Sequence, residues 1–307
     1  MSFKTLKTQE PFIVNKNLGS TLQVPEGHMN THNADGLPIV ELNQKQKYDF
    51  DRKGWLLFPG VIEKEDVEEM REFALRVANE RDGLHEDNPC GLSGPLQKLI
   101  DHPVLIGFLN EFLAYVSAVS QESYGFRMET SHVFHRGVGG KQGKFSPHNG
   151  SGLFRLPGDS HIYRMIPGKA WSGLTRVVWE LNPVKKGQGG TLVISGSHKA
   201  SYQAPDSVMS PDSPIWDTYE CPAGSLLVFT ESLTHSADQW TNGENDRVAI
   251  FNLYNTLAVR WNDWLPTNEQ LESMPPLRRS LFRSVHAGGN VEGGDFNWMS
   301  GPYEERE

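Results

Sequence analysis

Residues 189–199 read Gly-Gly-Thr-Leu-Val-Ile-Ser-Gly-Ser-His-Lys, a short apolar run enclosed by glycines. An apolar run bounded by turn-forming residues is typical of a β-strand, so we predict a strand over Thr191–Ser195. The same pattern of short apolar runs bounded by turn-forming residues continues on both sides of this segment. Further strands are predicted over Arg127–Arg136, Leu174–Leu181, Ser225–Phe229 and Arg247–Thr256. Short strands at this density, separated by Gly, Pro, Asn and Asp, indicate an antiparallel barrel or sandwich.

The chain before these strands has a different pattern. Residues 1–45 are polar and aperiodic, which predicts an extended arm or loop. One short strand is predicted at Trp55–Val61. Helices are predicted over Glu63–Arg81, over Pro95–Val119 with an interruption near Pro103, and near the end of the chain over Asn268–Phe282. We therefore predict a polar arm over 1–45 and a single domain over 46–307, mainly β with flanking helices.

Composition excludes several classes of protein. The 307 residues include 29 Lys and Arg against 38 Asp and Glu, a net charge of −9. A nucleic-acid binder would present a basic field, so this class is disfavoured. The sequence has no apolar run of about 18 residues and no signal-peptide stretch, so we expect no membrane partner. Two cysteines, Cys90 and Cys221, are too few for a cysteine-rich zinc site and suggest no oxidising compartment. A cytoplasmic protein is expected, and the sequence carries no signal for its oligomeric state.

Two of the eleven histidines stand out because of their surroundings. His148 lies in Phe-Ser-Pro-His-Asn-Gly, and His235 lies in Leu-Thr-His-Ser-Ala-Asp. The segment 189–199 lies between them, and Arg247 begins the strand that follows His235. The spacing allows two distant strands of a barrel to bring both imidazoles together.

This combination resembles the phytanoyl-CoA dioxygenase family of iron(II)- and 2-oxoglutarate-dependent oxygenases. The resemblance covers roughly residues 50–260 and rests on the strand at Gly54–Gly60, the segment 189–199, and the distal His followed by Arg. It implies a double-stranded β-helix, a cupin-like jelly roll with its site inside the barrel mouth. It also implies that His198 belongs to a structural turn rather than to a metal site.

The resemblance further implies a set of site residues and ligands. His148 and His235 would bind Fe(II), and Arg247 would pair with the far carboxylate of 2-oxoglutarate, because its fork suits bidentate binding of a carboxylate. The partners implied are O2 and a small-molecule substrate that is modified at an aliphatic C–H bond. Nothing in the sequence identifies that substrate.

One position departs from the family pattern. In the family the first histidine belongs to a His-x-Asp motif, but here Gly150 stands where the metal-binding carboxylate is expected. Asn149 would point the other way if the segment is extended. Iron halogenases resemble this His-x-Gly variant, since removing the carboxylate opens a position that chloride can fill. A halogenase is therefore one hypothesis.

Two alternatives to a halogenase stay open. The protein could be an oxygenase whose third ligand is water or a carboxylate from elsewhere, with Glu180 the best candidate and Asp159 a weaker one. If Val178 faces the barrel interior, the period of two puts Arg176 and Glu180 inward as well, so Glu180 would pair with Arg176, contact the metal or hold a cationic group of the substrate. The second alternative is a non-catalytic binding protein on the same fold.

Overall fold

The computed structural model describes residues 29–80, 90–115, 118–138, 145–149, 161–202 and 204–285, with the backbone of 296–297 and 301–302. The helices are α1 (Gln44–Lys53), α2 (Lys64–Asn79), α3 (Pro103–Phe112), α4 (Asn268–Ser273) and α5 (Pro276–Arg279), with 3-10 turns at Gly94–Leu99, Ser197–Lys199, Asp206–Met209 and Ser280–Phe282. The strands are β1 (Trp55–Phe58), β2 (Phe126–Arg136), β3 (Arg164–Ile166), β4 (Lys169–Trp171), β5 (Thr175–Glu180), β6 (Thr191–Val193), β7 (Ser225–Thr230), β8 (His235–Ala237), β9 (Arg247–Thr256), β10 (Phe296–Asn297) and β11 (Gly301–Pro302). None of the described helices is long and apolar enough to cross a bilayer.

Seven of the described strands form two layers, and β3–β4 and β10–β11 are separate antiparallel pairs. Five strands make an antiparallel sheet in the order β1-β7-β5-β9-β2. The second layer is the antiparallel pair β6–β8, which is widened on one side by a bridge between His148 and His235 and on the other by a bridge between Val193 and Asp217. The prediction of a mainly β fold with flanking helices is confirmed by this architecture.

The alternation of side chains along β5 shows how the large sheet is buried on both faces. Val177 and Trp179 pack in the core that the large sheet shares with the helices. Val178 packs on the opposite face, in a cluster with Phe229 and Leu233 that lies inside the barrel. Because successive residues of a strand point to opposite faces, Arg176 and Glu180 share the interior face with Val178, as the sequence predicts.

Part of the predicted N-terminal arm is folded. Residues 29–43 pack against the domain, with the Val40 amide donating to the Pro103 carbonyl and the Asn33 side chain donating to the Asp101 carbonyl. Helix α1 follows directly, started by a capping box in which Asn43 and Gln46 satisfy each other's backbone amides. Its one buried residue, Phe50, contacts the rings of α3. A single buried apolar residue gives no helical repeat of apolar positions, so the sequence does not reveal this helix. Residues 1–28 lie outside the described part of the chain.

Proline residues account for the helix boundaries that differ from the predicted ones. Pro103 is the first residue of α3, where its missing amide is tolerated, so the predicted stretch over 95–119 begins instead with a separate 3-10 turn. The predicted helix over 268–282 is broken at Met274, because Pro275 and Pro276 cannot continue it. The helix predicted over Glu63–Arg81 is confirmed as α2.

Candidate metal centre

The fold brings His148 and His235 side by side. The His148 amide donates to the His235 carbonyl at 3.1 Å, and the His235 amide donates back to the His148 carbonyl at 3.2 Å. The centroids of the two imidazole rings lie 4.2 Å apart. His235 is buried whereas His148 is exposed, so the pair lies at the mouth of the barrel. Two residues far apart in sequence are therefore adjacent because neighbouring strand segments carry them.

Backbone carbonyls orient both rings. Nδ1 of His148 lies 2.8 Å from the Ser146 carbonyl, and Nδ1 of His235 lies 2.8 Å from the Leu233 carbonyl. A carbonyl only accepts, so each Nδ1 carries the proton and each Nε2 keeps its lone pair. Burial lowers the pKa of His235 to about 4, which keeps that ring neutral at neutral pH. Neutral imidazoles with an oriented Nδ1–H are the form that binds metals.

Among the described residues, the carboxylate that lies next to this pair is Glu231, in the loop between β7 and β8. Its Oε2 lies 3.7 Å from Nε2 of His235. Oε1 accepts from Nε of Arg176 at 2.7 Å, and Oε2 accepts from the Asn149 side chain at 2.7 Å. Burial alone would raise the pKa of Glu231, but the charge of Arg176 and the hydrogen bond that it donates outweigh burial and lower the pKa below its usual range. The carboxylate is therefore ionised.

Asn149 reaches Glu231 because the chain turns after His148. Its φ is 57°, and it is the one non-glycine residue with positive φ in the described part of the chain. Asn tolerates this left-handed conformation better than most residues. The segment is thus not extended at Asn149, and its buried side chain points toward the histidine pair rather than away from it. Gly150 and Asp159 lie outside the described residues.

Glu180 faces the barrel interior as expected but has a different partner. Its Oε1 accepts from Nη2 of Arg247 at 2.6 Å and from the Tyr219 hydroxyl at 2.6 Å. Arg176, four residues earlier on β5, pairs with Glu231 instead. Four residues of a strand span roughly 13 Å, so Glu180 lies at the opposite end of β5 from Arg176. Of the three roles left open for Glu180, pairing with Arg176 is wrong, because each arginine pairs with a different carboxylate.

The far end of the barrel interior is positively charged. Arg247 is fully buried, and burial lowers its pKa, but the Glu180 carboxylate outweighs burial and raises it. Arg136 is the cross-strand partner of Arg247, and both guanidinium groups lie over the Phe134 ring, at 4.6 and 5.3 Å from its centroid. Arg136 donates to the Asp238 carbonyl and has no acidic partner among the described side chains. Two cations therefore share one carboxylate.

The remaining walls of the mouth are aromatic. His132 stacks on Phe251, with ring centroids 5.3 Å apart, and His161 meets the Trp261 ring edge to face. The pKa of His132 is lowered to about 4, first by burial and then by the charge of Arg176. His198, by contrast, lies in the core behind the site, with Nε2 against the Asp51 carbonyl and its ring against Gly54. That position agrees with the structural turn that the resemblance implies.

The donor set fits a divalent metal that keeps open positions. Two imidazole nitrogens and a nearby carboxylate are the ligand types of a non-haem Fe(II) site. As the side chains stand, no three His, Cys, Asp or Glu residues in the described ranges are spaced to hold a metal ion. The two histidine rings are thus already oriented. Oε2 of Glu231 lies 3.7 Å from Nε2 of His235, slightly farther than two adjacent ligands of one cation would lie.

Sequence reasoning missed Glu231. The apolar run from Ser225 predicts a strand that ends at Phe229, and Glu231 then falls in what looks like an ordinary turn. The available signal was a carboxylate four residues before the distal histidine, in a loop too short to carry it far from that histidine.

No protein-family model matches the chain. A curated relative, dioxygenase af480 of Aspergillus fumigatus, is 25% identical over 262 residues, which cover 81% of this chain and 79% of the relative. An uncharacterised protein of Mycobacterium tuberculosis, Rv1501, is 30% identical over 106 residues, which cover 34% of this chain and 37% of that protein.

Solved structures resemble the chain over most of its length. HygX from Streptomyces hygroscopicus, with nickel and 2-oxoglutarate bound, has a TM-score of 0.56 and 21% identity, covering 73% of this chain and 90% of HygX. The 2-oxoglutarate-dependent carbocyclase SnoK of nogalamycin biosynthesis has a TM-score of 0.51 and 15% identity, covering 81% of this chain and 95% of SnoK. These likenesses confirm the predicted jelly-roll fold.

Proposed function

We propose that the protein is a non-haem Fe(II)- and 2-oxoglutarate-dependent oxidoreductase that modifies an aliphatic C–H bond of a small molecule. The observation that carries the proposal is the histidine pair. His148 and His235 lie in contact, with each Nδ1 bonded to a backbone carbonyl and each Nε2 left with its lone pair.

The relatives support the same chemistry. The curated relative is named a dioxygenase, and HygX has been crystallised with iron, with nickel and 2-oxoglutarate, and with nickel, 2-oxoglutarate and hygromycin B. We carry over the cofactor pair, Fe(II) and 2-oxoglutarate, together with O2 and a small-molecule substrate. Membership of the phytanoyl-CoA dioxygenase family and a cytoplasmic location stay predictions from the sequence.

Two arginines in the barrel interior support the proposal that a dicarboxylate binds there. Arg247 is buried and already shared with Glu180, but Arg136 beside it adds a second cation. This end of the barrel therefore has a net positive charge that one further carboxylate would neutralise. The distal carboxylate of 2-oxoglutarate would bind between the two guanidinium groups, with the Thr191 hydroxyl nearby as a hydrogen-bonding group.

The residues around the site would hold the metal, orient its ligands and exclude water. When bound, iron and 2-oxoglutarate supply the oxidising power that attacks the substrate C–H bond. His148 and His235 hold the metal, and the carbonyls of Ser146 and Leu233 hold the rings. The apolar cluster around Phe229 and Phe251 excludes water from the interior.

Oxygenation is favoured over halogenation. A halide requires a ligand position without a carboxylate, which the sequence suggests at Gly150. Glu231 puts an ionised carboxylate 3.7 Å from Nε2 of His235, so a negative group already occupies the neighbourhood that a halide would need. We therefore propose a hydroxylase or related oxygenase, with chloride not required.

The test is 2-oxoglutarate turnover in the absence of a known substrate. Uncoupled turnover forms succinate slowly, and the wild-type protein with Fe(II) and ascorbate should produce it. His148→Ala and His235→Ala should each abolish it, while His32→Ala, which changes an exposed ring of the N-terminal region, should not. Absence of succinate from the wild type at every Fe(II) concentration would favour the non-catalytic binding protein instead.

A further inference from the structure

We infer that Glu231 is the third protein ligand of the metal, supplied from the loop between β7 and β8 rather than from the second residue after His148. This inference rests on the proposed function, because it concerns the same centre. It assigns the carboxylate that the sequence lacks at Gly150. It also replaces Glu180, which is committed to Arg247 at the other end of the barrel.

The distances allow this assignment with a small movement. Divalent cations bind nitrogen and oxygen ligands at about 2.1 Å, so two adjacent ligands of an octahedral site lie about 3.0 Å apart. Oε2 of Glu231 and Nε2 of His235 are 3.7 Å apart. A rotation of the Glu231 side chain that moves Oε2 by less than about 1 Å would bring the two atoms to ligand spacing.

The hydrogen bonds of Glu231 leave room for a metal. A carboxylate has about four lone-pair sites, two on each oxygen. Arg176 uses one site on Oε1 and Asn149 uses one on Oε2, so Oε2 retains a further lone pair. Outer hydrogen bonds of this kind orient ligating carboxylates in metal sites. Arg176 and Asn149 are therefore positioning residues, and the left-handed backbone of Asn149 is what aims its amide at Oε2.

A purely structural role does not explain the surroundings of Glu231. The barrel contains a second buried carboxylate–arginine pair, in which Glu180 accepts hydrogen bonds from Arg247 and from the Tyr219 hydroxyl. Glu231 instead directs Oε2 at Nε2 of His235, 3.7 Å away, which is too far for a hydrogen bond and close to the spacing of two ligands of one cation. The contrast between the two pairs points to a cation at Glu231 only.

Metal binding without cosubstrate tests the inference independently of turnover. Co(II) titrated calorimetrically should bind Glu231→Gln more than about 100-fold more weakly than wild type, a loss larger than the roughly 10- to 100-fold that removal of an outer-shell partner causes. Glu111→Gln is the control, since it neutralises a lysine-paired carboxylate on α3, away from the barrel interior. It should change Co(II) affinity by less than about three-fold. Equal Co(II) affinity of Glu231→Gln and wild type would overturn the inference.

Two further measurements keep the result interpretable. If Glu231→Gln does not fold, Glu231→Asp retains the charge, and its Co(II) absorption spectrum should differ from that of wild type because the ligand geometry changes. An identical spectrum would overturn the inference. Failure of the proposed function would give a different result from failure of the Glu231 assignment. In that case wild type itself would bind no Co(II), or His148→Ala would bind Co(II) as tightly as wild type.

Discussion

Glu180 and Arg247 form a buried ion pair, with 2.6 Å between Oε1 and Nη2, in the place where the resemblance puts the anchor of 2-oxoglutarate. Side-chain exposure is 0% for Glu180 and 2% for Arg247, so the pair is fully desolvated. Removing one partner of such a pair leaves a buried charge and is strongly destabilising, by about 3–5 kcal/mol. If 2-oxoglutarate binds at Arg247 as we propose, it shares that guanidinium with Glu180, and this sharing can be measured.

Glu180→Gln should lower the melting temperature, because Arg247 loses its counter-charge. A bound dicarboxylate would restore that charge, so 2-oxoglutarate should raise the melting temperature of the Co(II)-loaded variant more than it raises that of Co(II)-loaded wild type. The measurement is a thermal melt with and without 2-oxoglutarate. The same shift in both proteins would mean that 2-oxoglutarate does not bind at Arg247.

Arg136→Gln should raise the KM for 2-oxoglutarate about ten-fold or more, because it removes the guanidinium that has no acidic partner among the described residues. Its half-buried position predicts little change in stability. Arg52→Gln, which removes an exposed arginine from α1 on the outside of the domain, is the control and should leave the KM unchanged. An unaltered KM in Arg136→Gln would remove Arg136 from the cosubstrate site.

Acid should destabilise the fold through His102, the residue that caps α3. Its Nδ1 accepts from the Val104 amide, and burial lowers its pKa to about 4. The folded protein therefore disfavours the protonated ring, while the unfolded chain protonates near pH 6.5. The contribution to stability is complete above about pH 6.5 and is lost as pH falls toward about 4, at most about 3 kcal/mol.

His102→Asn separates this effect from the titration of the remaining groups, because Asn also caps helices but does not titrate in this range. Urea unfolding between about pH 7 and about pH 4 should show a shallower loss of stability in His102→Asn than in wild type. His32→Asn, which changes an exposed ring, is the control. Parallel pH profiles for His102→Asn and wild type would contradict the assignment.

Gly54→Ala should destabilise the protein by about 2–4 kcal/mol. Gly54 has a φ of 85° at the end of α1, and an added Cβ would lie 2.6 Å from Nδ1 of His198. Both the left-handed backbone and the overpacking contribute. Gly36→Ala is the matched control, with a φ of 75° but open space around the Cβ, and should cost about 1 kcal/mol. Equal losses in the two variants would mean that His198 does not close against Gly54.

The sequence predicts an element best where a run of apolar residues coincides with a strand that is buried in the fold. It predicts strand β9 at its observed bounds because the apolar run Val248–Phe251 follows Arg247 and, after Asn252, continues through Leu253 and Tyr254 to polar residues. The histidine pair could be expected for a related reason, since a jelly roll makes neighbours of strands that are distant in sequence. Local pattern and fold type were enough for both.

Pairing between distant side chains is the part that sequence could not supply. Glu180 and Glu231 are both carboxylates at strand ends, and nothing local distinguishes the partner of each. The assignment depends on which arginine lies across the barrel, which is Arg247 for the first and Arg176 for the second. The turn at Asn149 is likewise invisible, because its left-handed backbone is selected by contacts with Glu231 and Thr234.

The most direct measurement is an anaerobic titration of metal-free protein with Fe(II) and 2-oxoglutarate, followed by visible absorption, with and without chloride. We predict the weak charge-transfer band of a chelated 2-oxoglutarate–Fe(II) complex, unchanged by chloride and absent from His148→Ala. No band in wild type would contradict an iron- and 2-oxoglutarate-dependent function. A band that shifts with chloride, or that forms at lower 2-oxoglutarate concentration when chloride is present, would instead put a halide where we place Glu231.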